Sequence, residues 1–191
     1  MKDTLVIVNY FAGWRREVPN FWHDAQGDWR PRFPGVVPLL GEYNEPETMD
    51  REIVAAADHA VDAFLILWYY KEPGSAAEKR WGHLNAALPQ FMASPHAARL
   101  KFAIEWCNHE PYEVTDDARW EYCIRSWLPA FRHPSYLRVG DRLVFKVHTA
   151  PGMVAELGGD VAAARCRIAR LRQAVRDAGL GELVIAAGGL S

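Results

Sequence analysis

Cysteine is scarce in this chain: Cys107, Cys123 and Cys166 form an odd set with no close pair. That excludes a disulfide framework and a thiolate metal site, and it fits a reducing, cytoplasmic location. An excess of one charge is also lacking. Twenty-two Lys and Arg stand against 24 Asp and Glu, for a formal net charge of -2 with the signs interspersed. This gives no electrostatic case for nucleic acid or an anionic membrane as a partner. Long apolar runs are missing too. Met1-Lys2-Asp3-Thr4 leads into a strand-like run of only a few apolar residues, so neither a signal peptide nor a membrane span is expected. There is no P-loop, Ser-His-Asp order, zinc helix or calcium loop, and the seven His lie scattered without metal-ligand spacing. No metal and no cofactor is therefore expected.

What the chain does have is apolar and aromatic. Half of its 191 residues are hydrophobic, enough to bury the core of a single domain spanning residues 1–191. Eight are Trp, and Trp14, Trp22, Trp29, Trp68, Trp81 and Trp106 fall in or beside expected loops, where burial alone explains them less well. Five short, nearly continuous apolar runs predict strands buried on both faces of a parallel sheet: 5–11, 63–70, 101–107, 142–148 and 182–187.

Helical patterns separate these runs. Residues 46–61 carry Ile53, Ala57, Ala60 and Val61 on one side, with Pro46 at the first helical position. A second helix is expected from Thr115 as N-cap, with Asp116 and Asp117 in the first turn and Trp120, Ile124, Trp127, Leu128 and Phe131 facing inward. A third shows Val161, Ala164, Ile168, Leu171, Val175 and Ala178 spaced by threes and fours. Its Arg165, Arg167, Arg170, Arg172 and Arg176 are expected on a solvated face.

From the second run onward the strand starts recur about every 40 residues, the size of one βα unit. Two α/β architectures fit. One is a five-stranded doubly wound sheet. The other is a (β/α)8 TIM-barrel-like fold truncated after strand five, since a whole barrel takes roughly 250 residues. The long loop over 12–45, rich in Trp, Pro and Arg and without a G-x-G-x-x-G turn, favours the barrel. The stop at Gly189-Leu190-Ser191 reads as the end of an N-terminal barrel portion, whose open sheet edge would be prone to self-association.

The chemistry concentrates between Lys101 and Tyr112, where a strand ends in carboxylates, aromatics, an amide and an imidazole. Phe102, Ile104 and Trp106 alternate with Ala103, Glu105 and Cys107, while Leu143, Phe145 and Val147 alternate with Val144, Lys146 and His148. The outer face of a barrel strand must meet apolar helix surface, so Glu105, Lys146 and His148 should face inward, with Glu105 paired to Lys146. That pair is either a structural ion pair or a direct substrate contact. Glu110 lies past the strand end, held extended by Pro111. Glu105 and Glu110 are the catalytic candidates, because two carboxylates flanking a bond are what glycoside hydrolysis requires. Asn108, His109, Lys146 and His148 are the candidate polar contacts to substrate. Tyr10, Trp14, Trp68, Tyr69, Trp106 and Tyr112 are the candidate aromatic ones, since a sugar presents both hydroxyls and an apolar face.

Several segments together resemble the glycoside hydrolase family 99-like proteins, relatives of endo-α-mannosidase and of proteins associated with polysaccharide metabolism. Asn9-Tyr10-Phe11-Ala12-Gly13-Trp14 is similar to the family's first strand, and Gly41-Glu42-Tyr43 before Glu45-Pro46-Glu47 to the approach to its first helix. Val61-Asp62-Ala63-Phe64 through Trp68-Tyr69-Tyr70 resembles the second strand, although Ala60 and Ala63 stand where glycines are common. Trp106-Cys107-Asn108-His109-Glu110-Pro111-Tyr112 resembles the end of the third strand. His133-Pro134-Ser135-Tyr136-Leu137-Arg138-Val139-Gly140-Asp141-Arg142, a short hairpin with a Gly-Asp turn, is the most specific match. The resemblance implies a (β/α)8 barrel acting on α-linked mannose or similar glycans. It also implies principal catalytic carboxylates in an Asn-Glu-Trp-x-Glu-type motif, which this sequence does not contain. The expectation is a carbohydrate-active protein, resembling either a glycoside hydrolase or a polysaccharide-biosynthesis enzyme. The alternative is a non-catalytic glycan-binding barrel or partner-dependent subunit.

Overall fold

A computed structural model describes residues 4–18 and 20–189, so Met1–Asp3, Pro19 and Leu190-Ser191 lie outside the described residues. The five apolar runs each form a strand: β1 (Ile7–Tyr10), β2 (Ala63–Trp68), β3 (Lys101–Trp106), β4 (Arg142–Val147) and β5 (Leu183–Ala187). All four pairings are parallel, and the spatial order is the order of sequence. The expected hairpin is also there. Arg138–Val139 pairs antiparallel with the start of β4 across a turn in which Gly140 takes φ +64°.

Six helices connect or flank the strands: α1 (Pro46–Asp58), α2 (Ala76–Trp81), α3 (Ala87–Ala93), α4 (Asp117–Phe131), α5 (Ala150–Ala155) and α6 (Val161–Asp177). Their side chains show which face they cover. Phe91 of α3 meets Phe64 of β2 and Phe102 of β3 at ring distances of 6.2 and 4.7 Å. Trp127 of α4 meets Trp106 of β3 and Phe145 of β4 at 6.1 and 4.7 Å. Glu52 of α1 accepts a 2.5 Å hydrogen bond from Tyr10 of β1, whose ring lies 5.0 Å from Phe64. Trp120 of α4 donates to the Arg167 carbonyl of α6 at 3.0 Å. These four helices therefore share one side of the sheet, as right-handed crossovers demand of strands added in a single direction. The result is an α/β fold with a parallel central sheet and flanking helices.

The opposite face carries the alternate residues, in rows set by register: Leu65 with Ala103, then Leu67 with Glu105 and Lys146. The short stretch containing Trp81 and Leu84 packs there, against Leu67, Tyr69, Cys107 and Tyr112.

Local chemistry explains the helix ends. Asp116 rather than the expected Thr115 caps α4, accepting from the Arg119 N–H at 2.9 Å; Thr115 instead accepts from the Arg119 guanidinium. A carboxylate one residue closer to the helix is the better partner for its free N–H groups. Asp160 caps α6 in the same way. Arg167 overturns the expectation of a wholly solvated arginine face. It is 4% exposed, its guanidinium donating to the Val114 carbonyl and lying 5.8 Å over the Trp120 ring. Its stem fills the α4–α6 contact while the head finds a backbone acceptor. Ala60 follows α1 at φ +62°, with Val61 N–H bonded to the Ala56 carbonyl and Ala60 N–H to the Ala57 carbonyl. That is the helix-ending turn glycine usually occupies.

The loop over 12–45 packs largely on itself. Trp22, 1% exposed, lies 4.3 Å from Trp14 and 5.1 Å from Trp29, and its indole N–H donates to the Glu42 carbonyl at 2.8 Å. Arg30 ties Asp28, Glu42 and Tyr43 together. Burial inside the loop's own core thus accounts for Trp22.

Candidate functional site

Where parallel strands end, their backbones splay and side chains gather on one rim. At this rim Glu105, the fifth residue of β3, accepts on Oε1 from Lys146 Nζ at 2.9 Å and from His148 Nδ1 at 2.6 Å. The expected Glu105–Lys146 pair is therefore formed, with His148 one pleat nearer the rim. Glu105 is completely buried, whereas the Lys146 and His148 side chains are 25% and 43% exposed. Its second oxygen, Oε2, is buried with no partner among the described residues. The bond to Nδ1 leaves Nε2 of His148 to meet a ligand.

A strip of rings runs along the same rim from β1 to β4. Trp14 and Phe21 lie 5.4 Å apart, Phe21 and Phe11 5.9 Å, Phe11 and Tyr69 6.5 Å, Tyr69 and His109 6.0 Å, and His109 and His148 5.6 Å. Tyr112 joins at 4.8 Å from Tyr69. Phe11, Phe21, His109 and His148 are exposed. Beneath the strip, burial pushes the Cys107 thiol up to about 12, so it is an inert packing group rather than a nucleophile.

Four expected contacts lie elsewhere. Trp106 is 0% exposed, sealed between Trp120 and Trp127 on the helix side. Trp68 faces the same side, its ring 5.2 Å from Trp127. Both occupy the strand parity of Phe102 and Ile104, which helices cover. Tyr10 sits under α1, held by Glu52 and Asn44. Asn108, 1% exposed, donates to the Thr149 carbonyl at 2.8 Å and accepts from the Thr149 N–H at 2.9 Å. It imitates a strand pairing past the ends of β3 and β4, leaving little of its amide for a ligand. The expected aromatic candidates that reach the rim strip are Trp14, Tyr69 and Tyr112.

Glu110 is exposed and lines a cleft of about 390 Å3 with His109, Glu113 and Glu156. Glu156, which the sequence did not single out, is pushed up to about 7, chiefly by burial, and its Oε1 is buried without a partner among the described residues. Lys71 was missed as well. Only 6% exposed, it points its ammonium at the faces of Tyr69 and Tyr112, 5.2 and 5.3 Å away, and burial lowers it to about 8. Phe11 could have been found as an apolar residue just beyond a strand end, whereas Phe21 lies eleven residues past β1 in the long loop. Glu156 and Lys71 carry no sequence signal, since their burial depends on chain packed from elsewhere.

Among the described residues no group of His, Cys, Asp and Glu is arranged to hold a metal ion, and no helix is long and apolar enough to cross a membrane. No protein-family model matches the sequence, and neither does any curated protein.

Proposed function

We propose that this chain is the N-terminal portion of a (β/α)8-type barrel in a carbohydrate-active protein, resembling a glycoside hydrolase or polysaccharide-biosynthesis enzyme. Its part of the work is to bind sugar across the C-terminal ends of the strands. Sequential strand order with the major helices on one side is the arrangement a barrel requires, and the alternate residues, Leu65, Ala103, Glu105 and Lys146 among them, form the face such a sheet offers to a lumen. The observation that carries the reading is the strip of rings from Trp14 to His148, edged by the Glu105–Lys146–His148 group. Stacked rings take the apolar face of a pyranose, and the imidazole and ammonium take its hydroxyls.

Complete burial makes Glu105 the anchor of Lys146 and His148 rather than a nucleophile. A glycan-binding role for this segment, with bond cleavage or formation carried by carboxylates outside it, is therefore favoured over Glu105 and Glu110 acting as a catalytic pair. The test is a titration with mannose and α-linked manno-oligosaccharides, followed by protein NMR or fluorescence. Saturable binding is expected, weakened about tenfold or more in Tyr69→Ala and in His148→Ala. Absence of binding, or binding indifferent to both substitutions, would overturn the reading.

A further inference from the structure

Next to the β1 end of the strip lies a second feature. A cleft of about 230 Å3 is lined by Arg15, Arg80 and His83 over the rings of Phe21 and Trp81. It is smaller than the roughly 300–1,000 Å3 of a site for a drug-sized ligand, and it suits a single charged group with part of one sugar ring. Arg15 Nη1 donates to the Arg80 carbonyl at 3.2 Å, which brings the two arginine segments together. The Arg80 guanidinium lies 4.8 Å over the Trp81 ring, exposed, and makes no ion pair among the described residues.

Lys71 extends this positive field toward the strip. It is buried, donates to the Tyr69 carbonyl at 3.4 Å, and has no carboxylate partner among the described residues. An ammonium taken out of water without a counter-charge is costly, so an anion nearby would relieve a standing penalty. Burial, then Arg15, then Lys71 hold the His83 imidazole below its usual range, with Glu17 acting in the opposite sense. Arg15, Arg80, His83 and Lys71 thus gather positive charge about the cleft, with Glu17 acting on His83 and Glu78 on Lys71.

We propose that this cleft is an anion subsite, and that the sugar bound on the neighbouring strip carries a phosphoryl or carboxylate group. The sugar part rests on the glycan reading; the anion part does not. Arg80 and Arg15 give planar N–H forks suited to either oxyanion, Phe21 and Trp81 form the apolar floor for the adjoining ring, and Lys71 supplies charge from the strip side. Binding should also draw protons from solution near pH 8, because an anion favours the charged form of Lys71.

Calorimetric titration with mannose, mannose 1-phosphate, glucuronate and inorganic phosphate, at low and high salt, decides the matter. The charged sugars should bind about tenfold or more tighter than mannose, the more so at low salt. That preference should vanish in Arg80→Ala and shrink in Lys71→Met, whereas His148→Ala should weaken all three sugars alike. The ranking of mannose 1-phosphate against glucuronate tells which oxyanion the cleft takes. Binding of inorganic phosphate that depends on Arg80, with no sugar preference, would leave the anion subsite standing and remove the glycan reading. Equal affinity for neutral and charged sugars, a charge preference that survives Arg80→Ala, or no binding of any probe would overturn the subsite.

Discussion

On β3, Phe102 and Trp106 meet helices while Ala103 and Glu105, with Cys107 just past its end, face away from them, so one short strand serves two different environments. On the helix side Trp106, Trp120, Trp127 and Phe145 interlock through rings 4.7–6.1 Å apart. On the other side a buried carboxylate holds a partly exposed ammonium and imidazole beneath the ring strip. The helix side is dry, and every atom removed from it leaves a void. On the rim side Lys146 and His148 can return to water. Stability should therefore respond to the first face, and ligand binding to the second.

The largest effect should come from Trp127→Ala. Trp127 is fully buried and touches Trp68, Trp106, Trp120 and Phe145, so truncation should cost about 3–5 kcal/mol, read as a lowered denaturation midpoint in urea. A loss under about 1 kcal/mol would mean that the two faces do not differ as described.

Glu105→Gln should do the opposite. Its former partners can rehydrate, so stability should change by about 1 kcal/mol, while glycan affinity should fall about tenfold, measured by denaturation and titration of the same sample. Equal loss in Trp127→Ala and Glu105→Gln would dissolve the contrast.

Glu156 tests the rim through pH. Its carboxyl is raised from 4.5 to about 7, first by burial, then by Glu113, with Val114 N–H, Arg167 and Asn108 opposing. Between those two values the folded chain holds the proton more tightly than the unfolded one. The contribution is therefore complete below about pH 4.5 and lost as pH rises through 7. Because Glu156 is only half-buried, about 1 kcal/mol of pH-dependent stability is expected, and Glu156→Gln should flatten it in melts taken from pH 4.5 to 8. An unchanged slope would mean that this carboxyl is not held protonated.

The smallest effect should be a gain, away from both faces. Ala60 occupies a left-handed conformation at φ +62°, so Ala60→Gly should raise stability by a few tenths to about 1 kcal/mol in a thermal melt. A loss would show that the turn after α1 tolerates its side chain without strain.

The strands and the Glu105–Lys146 pair were legible because alternation and register are local properties: parity assigns the face, and neighbouring strands assign the partner. Parity also spoke against Trp106 as a sugar contact, since it shares its face with Phe102 and Ile104. The wealth of Trp near strand ends pulled the other way, and packing followed parity. Asn108 reads as a polar group at a strand end, and nothing nearby in sequence points to Thr149, forty-one residues on, as the partner for both of its hydrogen bonds. Arg167 lies off the apolar stripe of its helix, but the Val114 carbonyl that accepts from it lies 53 residues earlier in the chain. The separation of Glu105 and Glu110 could not be read from the sequence for a related reason. Past a strand end the chain no longer alternates, so spacing stops reporting direction.

The Asn108–Thr149 bridge has one more consequence. It clamps main chain, immediately before the Glu110 loop on one side and immediately after His148 on the other. The spacing between the ends of β3 and β4 is thus fixed by a fastener that belongs to neither the charged group nor the rings. The side chains at 105, 146 and 148 are in that sense an exchangeable insert in a fixed frame. Substitutions there can retune which ligand is held while the distance across the rim stays where the amide sets it.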